Sequence, residues 1–250
     1  MRLKCLACEA LAREAYLCAA RSPHVVDVEV YRLGLHRDPE DLRARLQARI
    51  DATARAVEAG EEEWDAVLMV YGLCGKSTAG LVARGVPLVL PRAHDCITLY
   101  LGARERYDEQ FREHPGTYWY TLDYCERSHG RVSLSADADM QMEATYEQYA
   151  EKYGADNAEY LMEVMGAWRE HYDRAAFIDM GVGDPTTVIA KTQEDARTKG
   201  WRYERLAGDL VLVRRLLEGD WGEDSLVLQP GEQVTMTYDH AVVDADPHHP

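Results

Sequence analysis

Cys74 closes the apolar run Val67-Leu68-Met69-Val70-Tyr71-Gly72-Leu73, and His94-Asp95-Cys96 follows a second run, Val86-Pro87-Leu88-Val89-Leu90-Pro91-Arg92. Thiolates and neutral imidazoles are the ligands that zinc and other borderline metals prefer, and a His-x-Cys pair offers two of them from one turn. Cys74 precedes Cys96 by 22 residues, about one βα unit, so adjacent parallel strands would deliver all three groups to one sheet edge. Open α/β sheets bind ligands at that carboxyl edge. Cys8, with Glu9 beside it, ends an earlier candidate strand and is a candidate fourth ligand; Glu9 and Cys125 are its rivals. The competing readings are buried packing thiols, since free cysteine is among the most buried residue types, and a cysteine nucleophile activated by a nearby base. Asp95 has the position of a helix N-cap, and a general base or a partner orienting His94 are its other readings.

Other motifs rank lower. Cys5-x-x-Cys8 spans a strand end rather than a thioredoxin-like strand-to-helix turn, which makes Cys5 a structural thiol; Cys18 falls inside the first helix. Gly75-Lys76-Ser77-Thr78 resembles the end of a phosphate-binding loop, but position 70 is Val70 where that motif needs glycine. What is left is a modest anion or cofactor site on a helix starting there, with Gly75, Lys76 and Arg92 as contacts and Arg92 also a candidate catalytic cation. The chain has no G-x-S-x-G elbow, H-E-x-x-H helix or G-x-G-x-x-G fingerprint.

The elements that must position these groups follow from periodicity. Residues 2–8 and 25–31 read as strands, and Asp38-Pro39 opens a helix to about Ala59 whose Leu42, Leu46, Ile50 and Ala54 form one buried stripe. A strand at 65–71, a helix at about 76–84 and a strand at 86–90 continue the alternation. This predicts an α/β fold with a doubly wound, mainly parallel sheet, Rossmann-like and three-layered. Thr117-Tyr118-Trp119-Tyr120-Thr121 reads as a strand leading to a polar loop, and 137–172 as helical with Tyr146, Tyr149, Tyr153 and Tyr160 packing along one stripe. Alternation resumes with a strand at 175–180, a helix capped at Asp184-Pro185, a short strand near Trp201–Tyr203, a helix capped by Asp209 and stopped by Gly219, and strands at 226–228 and 234–236. The expected lobes are 1–125, a helical middle at 126–174, and 175–243, with a frayed tail at 244–250.

The chain's 250 residues, 46% hydrophobic and 29% charged, suffice for a full core. A net charge of -16, with Glu61-Glu62-Glu63 and the acidic residues Asp239, Asp244 and Asp246, leaves no basic stripe for nucleic acid or an anionic membrane. The N-terminus turns polar by Arg13, without the apolar stretch of a signal or a membrane span, so a cytoplasmic protein with free thiols is expected.

Taken together, Ala7-Cys8-Glu9, Tyr71-Gly72-Leu73-Cys74-Gly75, Pro91-Arg92-Ala93-His94-Asp95-Cys96-Ile97 with Leu101-Gly102, Pro115-Gly116-Thr117-Tyr118, Lys152-Tyr153-Gly154, and Gly219-Asp220-Trp221 before Pro230-Gly231 resemble the domain of unknown function 1638 family. That family is uncharacterised and often encoded beside corrinoid-dependent methyltransferases. The resemblance implies an αβ protein in the neighbourhood of one-carbon metabolism, without a settled activity. Such proteins carry Gly-Trp after the Gly-Thr-Tyr strand, where this chain has Asp123-Tyr124. His94-x-Cys96 is also similar to part of the zinc motif of thiol methyltransferases, although there the remaining cysteine follows the pair, whereas Cys74 precedes it. The expectation is a metal-binding protein, with zinc first and an iron–sulfur cluster or another transition metal behind it. Its partners would be a small-molecule substrate or corrinoid-system proteins, and a homo-oligomer is compatible with the sequence. A non-catalytic ligand- or cofactor-binding protein is the alternative.

Overall fold

The computed structural model describes residues 1–128 and 172–247. It divides the chain into two units, Met1–Tyr107 with Gly208–Pro250, and Asp108–Ala207. This redraws the expected lobes: residues 175–207 belong to the second unit, while the chain from Gly208 returns to the first. Most of the expected helical middle, including the tyrosine stripe, lies outside the described residues.

In the first unit, β1 (Arg2–Cys8), a 3-10 turn at Glu9–Leu11, α1 (Ala12–Arg21), β2 (Val25–Tyr31), α2 (Pro39–Glu58), β3 (Ala66–Val70), β4 (Leu88–Pro91), α3 (Cys96–Leu101) and α4 (Arg104–Glu113) follow in order. Local chemistry explains the boundaries. The Asp38 side chain accepts from the Asp41 N–H ahead of Pro39, and Gly60 takes a left-handed φ of 70° just past the helix end. Along α4 the chain passes into the second unit, which has β5 (Thr117–Thr121), α5 (Leu122–Arg127), β6 (Arg174–Asp179), α6 (Thr186–Lys199) and β7 (Arg202–Ala207). Its sheet is parallel, in the order β5-β6-β7. Back in the first unit come α7 (Val211–Glu218), β8 (Ser225–Leu228), β9 (Gln233–Met236) and β10 (Val243–Asp246).

The first sheet has the order β2-β1-β3-β4-β8, parallel except for β8, which runs antiparallel to β4. Both faces are covered, as a parallel sheet requires. Leu6, Met69, Leu88, Leu90 and Leu228 pack under Leu42, Leu46 and Ile50 of α2. Residues of opposite parity, such as Leu3, Cys5, Leu68 and Val89, are equally buried, on the side where α1 packs against α7. The fold is therefore α/β, Rossmann-like and mainly parallel. Among the described residues no helix is long and apolar enough to cross a membrane.

Two expected elements are corrected. Residues 76–84 form no helix: Cys74, Gly75 and Lys76 all have positive φ, and Val82 instead bridges to Gln233. Leu81 and Ala83 in this stretch, and Val86 after it, are buried in the core under α2. The expected fraying from Asp244 is also wrong for 244–246, because β10 pairs antiparallel with β9, Val243 opposite Met236 and Asp246 opposite Gln233.

One buried cation lies within the sheet. Lys4, 4% exposed, places Nζ 2.8 Å from Asp27 Oδ2 and 3.2 Å from Glu29 Oε2, and Arg49 Nε stands 2.7 Å from the same Glu29 oxygen. Partial burial works to raise the Glu29 pKa, but the hydrogen bonds from Lys4 and Arg49 prevail and hold it below its ordinary 4.5. A depressed folded-state value contributes stability that is present above pH 4.5 and lost as pH falls through the folded value. Urea midpoints measured from about pH 6 to about pH 3 should therefore fall more steeply in the wild type than in Glu29→Gln. Parallel acid limbs for the two proteins would refute this role.

Candidate functional site

The strand order reverses direction between β1 and β3, since β2 lies beyond β1 on one side and β4 beyond β3 on the other. Such a switch point leaves a crevice at the carboxyl ends of the central strands. Cys8 is the last residue of β1, Tyr71 to Cys74 leave β3, and His94 to Cys96 leave β4. The ladder between the last two segments continues past the strands, with Leu73 N–H donating to Ala93 O at 2.8 Å and Cys74 N–H to His94 O at 2.9 Å. Gly72 permits this approach: a Cβ there would lie 2.6 Å from Asp95 Cα and 2.7 Å from Asp95 N.

The three thiols stand within electrostatic reach of one another. Burial pushes the Cys74 thiol up, and Asp95 and Cys8 push it further; N–H groups of Gly72 and Cys96 directed at its sulfur oppose them. Burial also raises Cys96, followed by the charges of Asp95, Cys74 and Cys8. Cys74 itself has φ 43°, a left-handed conformation costly for a non-glycine residue, and it begins the turn through Gly75 and Lys76. Tyr71, 2% exposed, carries a buried hydroxyl beside the Cys8 side chain. Its polar neighbours are the Cys8 and Cys74 sulfurs; burial first, then those charges, raises its pKa well above 10.0.

Asp95 is the N-cap of α3, its Oδ1 accepting from Ile97 N–H at 2.9 Å and Thr98 N–H at 3.3 Å. Its Oδ2 accepts from the Tyr107 hydroxyl at 3.2 Å. The His94 ring stacks on the Tyr107 ring, with centroids 5.0 Å apart and planes at 21°. Burial raises the Asp95 carboxyl despite these donors. Tyr107 thus holds both members of the His-Asp pair, a role that its place in the charged stretch of α4 did not signal.

The family model described as a protein of unknown function, DUF1638, matches residues 30–217 of the chain, spanning the segments after β3 and β4. The chain belongs to the DUF1638 family. No curated protein and no solved structure matches it.

Several expected site residues of this DUF1638 chain serve elsewhere. Arg92 donates to the Ala241 and Val243 carbonyls, tying the strand end to the β9–β10 hairpin rather than presenting a free cation. Gly75 and Lys76 are exposed and no helix follows them, so the anion site expected there lacks its helix terminus. The Lys76 carbonyl instead accepts from Arg43 at 2.9 Å. A Glu9 carboxylate oxygen accepts from Leu33 N–H at 2.8 Å, fixing the chain after β2. Cys125 lies in α5 of the second unit, against that unit's Tyr120 and Phe177 cluster, and burial takes it to about 12. In the same helix Asp123, 1% exposed, pairs with Arg127 at 2.7 Å. Cys5 and Cys18 are buried thiols raised chiefly by burial, to about 12 and about 11.

Cys8, Cys74, His94 and Cys96 therefore gather at one sheet edge, but not as a finished coordination sphere. Among the described residues no group of three or more His, Cys, Asp or Glu side chains is placed to hold a metal ion. Neutral thiols have no strong mutual attraction, and each takes a local neighbour: Tyr71 beside Cys8, and backbone N–H groups at Cys74.

Proposed function

We propose that Cys8, Cys74 and Cys96 are the working groups of this protein and bind a thiophilic divalent ion, zinc first, leaving a position for a small thiol substrate. The observation that carries this reading is that Cys8, Cys74 and Cys96 stand at or just past the carboxyl ends of the neighbouring strands β1, β3 and β4 beside the switch point. Three sulfurs are a donor set that zinc accepts, and a fourth, open position is the pattern of a working rather than a closed site. The chemistry of the donor set fits the ion, although among the described residues no three such side chains are placed to hold one. The raised Cys74 and Cys96 thiols support a metal over a free nucleophile. Without a cation the Cys74 and Cys96 thiols stay protonated, whereas a bound ion deprotonates its ligands outright.

When bound, the ion would hold a substrate thiol as its thiolate. In this reading Asp95 and Tyr107 keep the β4 loop in place, and His94 is a neighbour rather than a required ligand. The resemblance to proteins encoded beside corrinoid-dependent methyltransferases supports a place in one-carbon chemistry, with a corrinoid-system protein as partner.

Elemental analysis of anaerobically purified full-length protein tests the proposal. About one zinc per chain is expected for a three-thiolate site. Cys8→Ser, Cys74→Ser and Cys96→Ser should each lose most of it, while Cys5→Ser and Cys125→Ser keep it. Wild-type protein without metal, or metal content indifferent to all three serine variants, would sink the proposal.

A further inference from the structure

We propose that Cys74 and Cys96 form a reversible disulfide, a two-electron redox site at the carboxyl edge of the first sheet. The proposal goes beyond the metal reading and does not rest on it. Register brings the two residues together. Where Val67 pairs with Leu88, Val67 N–H donates to Pro87 O, and Cys74 N–H donates to His94 O in the same relation seven residues on. Cys74 therefore stands across from Asp95, one residue from Cys96. With strands about 4.8 Å apart and a rise of about 3.3 Å, an offset of one residue separates the Cα atoms by about 6 Å. Disulfides span Cα separations of about 4.4 to 6.8 Å. The Cys96 N–H is itself directed at the Cys74 sulfur, so that side chain already lies against the Cys96 backbone.

Cys8 is worse placed for either thiol. Ala7 pairs with Val70, so Cys8 follows opposite Tyr71, three residues before Cys74, and the Tyr71 hydroxyl takes the Cys8 sulfur as its partner. β3 separates β1 from β4, which sets the Cys8 backbone two strand spacings, about 10 Å, from the β4 segment. Cys74 and Cys96 are partly exposed free thiols, and the exposed Gly75 and Lys76 follow Cys74, so a small oxidant can reach the pair. The oxidant is a small-molecule disulfide such as oxidised glutathione. One cysteine gives up its proton and attacks a sulfur of that molecule, whose S–S bond breaks as one small thiolate leaves. The second cysteine gives up its proton, attacks the first cysteine's sulfur in the mixed disulfide and expels the other small thiolate. The two cysteines lose two electrons, the small disulfide gains them, and the released protons end on the two small thiols. Excess small thiol reverses both steps. In the oxidised chain two of the three proposed ligand sulfurs are withdrawn from any ion.

Full-length protein incubated with oxidised glutathione, with a chelator present so that no ion shields the thiols, tests the pair. Burial raises both thiols and leaves little thiolate near neutral pH, so the exchange is run at about pH 8.5 and followed over hours. After the remaining thiols are alkylated in denaturant and the chain is digested, mass spectrometry should find Cys74 joined to Cys96 in most chains. Cys5, Cys8, Cys18 and Cys125 should take part in no protein disulfide. Excess reduced glutathione should restore both thiols. Cys74→Ser should abolish the cross-link, and Cys8→Ser should leave it at the wild-type yield. A chain that keeps all six thiols free, carries only mixed disulfides with glutathione, or joins Cys8 to Cys74 or Cys96 in preference would overturn the proposal. None of these results bears on the metal reading, which elemental analysis decides separately.

Discussion

Gly72→Ala is expected to cost about 3 kcal/mol of stability, the upper end of what overpacking usually does. The added Cβ would sit 2.6 to 2.9 Å from three backbone atoms of Asp95, and backbone cannot rotate aside as a flexible side chain can. Relief would require the segments after β3 and β4 to part, which breaks the bonds from Leu73 N–H to Ala93 O and from Cys74 N–H to His94 O. The substitution should therefore disrupt the thiol cluster as well as the fold, lowering metal content together with the urea midpoint. Gly75→Ala is the control. Nothing lies within 4 Å of its added Cβ, and the cost is the left-handed φ of 63°, about 1 kcal/mol. Equal midpoints for Gly72→Ala and Gly75→Ala would show that the close approach to Asp95 is not what constrains position 72.

Arg174→Ala is expected to destabilise the second unit by about 4 kcal/mol, the scale of breaking a buried ion pair from one side. Arg174 is 1% exposed, at the start of β6. Its guanidinium donates to Thr117 Oγ1 at 2.9 Å, Glu204 Oε2 at 3.0 Å and Gln110 Oε1 at 2.5 Å, and lies 5.5 Å from the centre of the Trp119 ring. Burial pulls its pKa down, and the charge of Glu204 and its hydrogen bond push back. Truncation leaves those acceptors with a void in place of the side chain. Glu204→Ala should cost far less, about 1 kcal/mol, because Glu204 is 36% exposed and water can replace it. Thermal and urea unfolding followed by circular dichroism would measure both. A larger loss for Glu204→Ala than for Arg174→Ala would contradict the argument.

Strands and caps were legible because their signals are local. Apolar runs marked β1, β3 and β4 and a β-branched run marked β2, Asp38 sits where an N-cap belongs, Asp209 lies one residue before the cap Leu210 and accepts from Val211 N–H, and Gly219 stops α7 with a φ of 76°. The false helix at 76–84 shows the limit of periodicity. Alternation with the strands on either side suggested a helix there, but three successive positive-φ residues at Cys74, Gly75 and Lys76 and the Val82–Gln233 bridge exclude one. The partner in that bridge is some 150 residues away, beyond any sequence window. The same distance hid the β4–β8 pairing and the return of the chain to its first sheet.

By itself the sequence determined that Cys8 ends one strand and that Cys74 and His94-Asp95-Cys96 follow two others, because hydrophobic runs and their stops are written residue by residue. It also determined the capping role of Asp95, which depends only on the N–H groups two and three residues ahead. Tertiary structure alone decided which of these groups meet. Strand order and register set Tyr71 beside Cys8, a Cβ-free Gly72 against Asp95, and Tyr107 under His94, while removing Arg92, Glu9 and Cys125 to other tasks. Neighbourhood across a parallel sheet is a non-local property, fixed when all the strands pack at once.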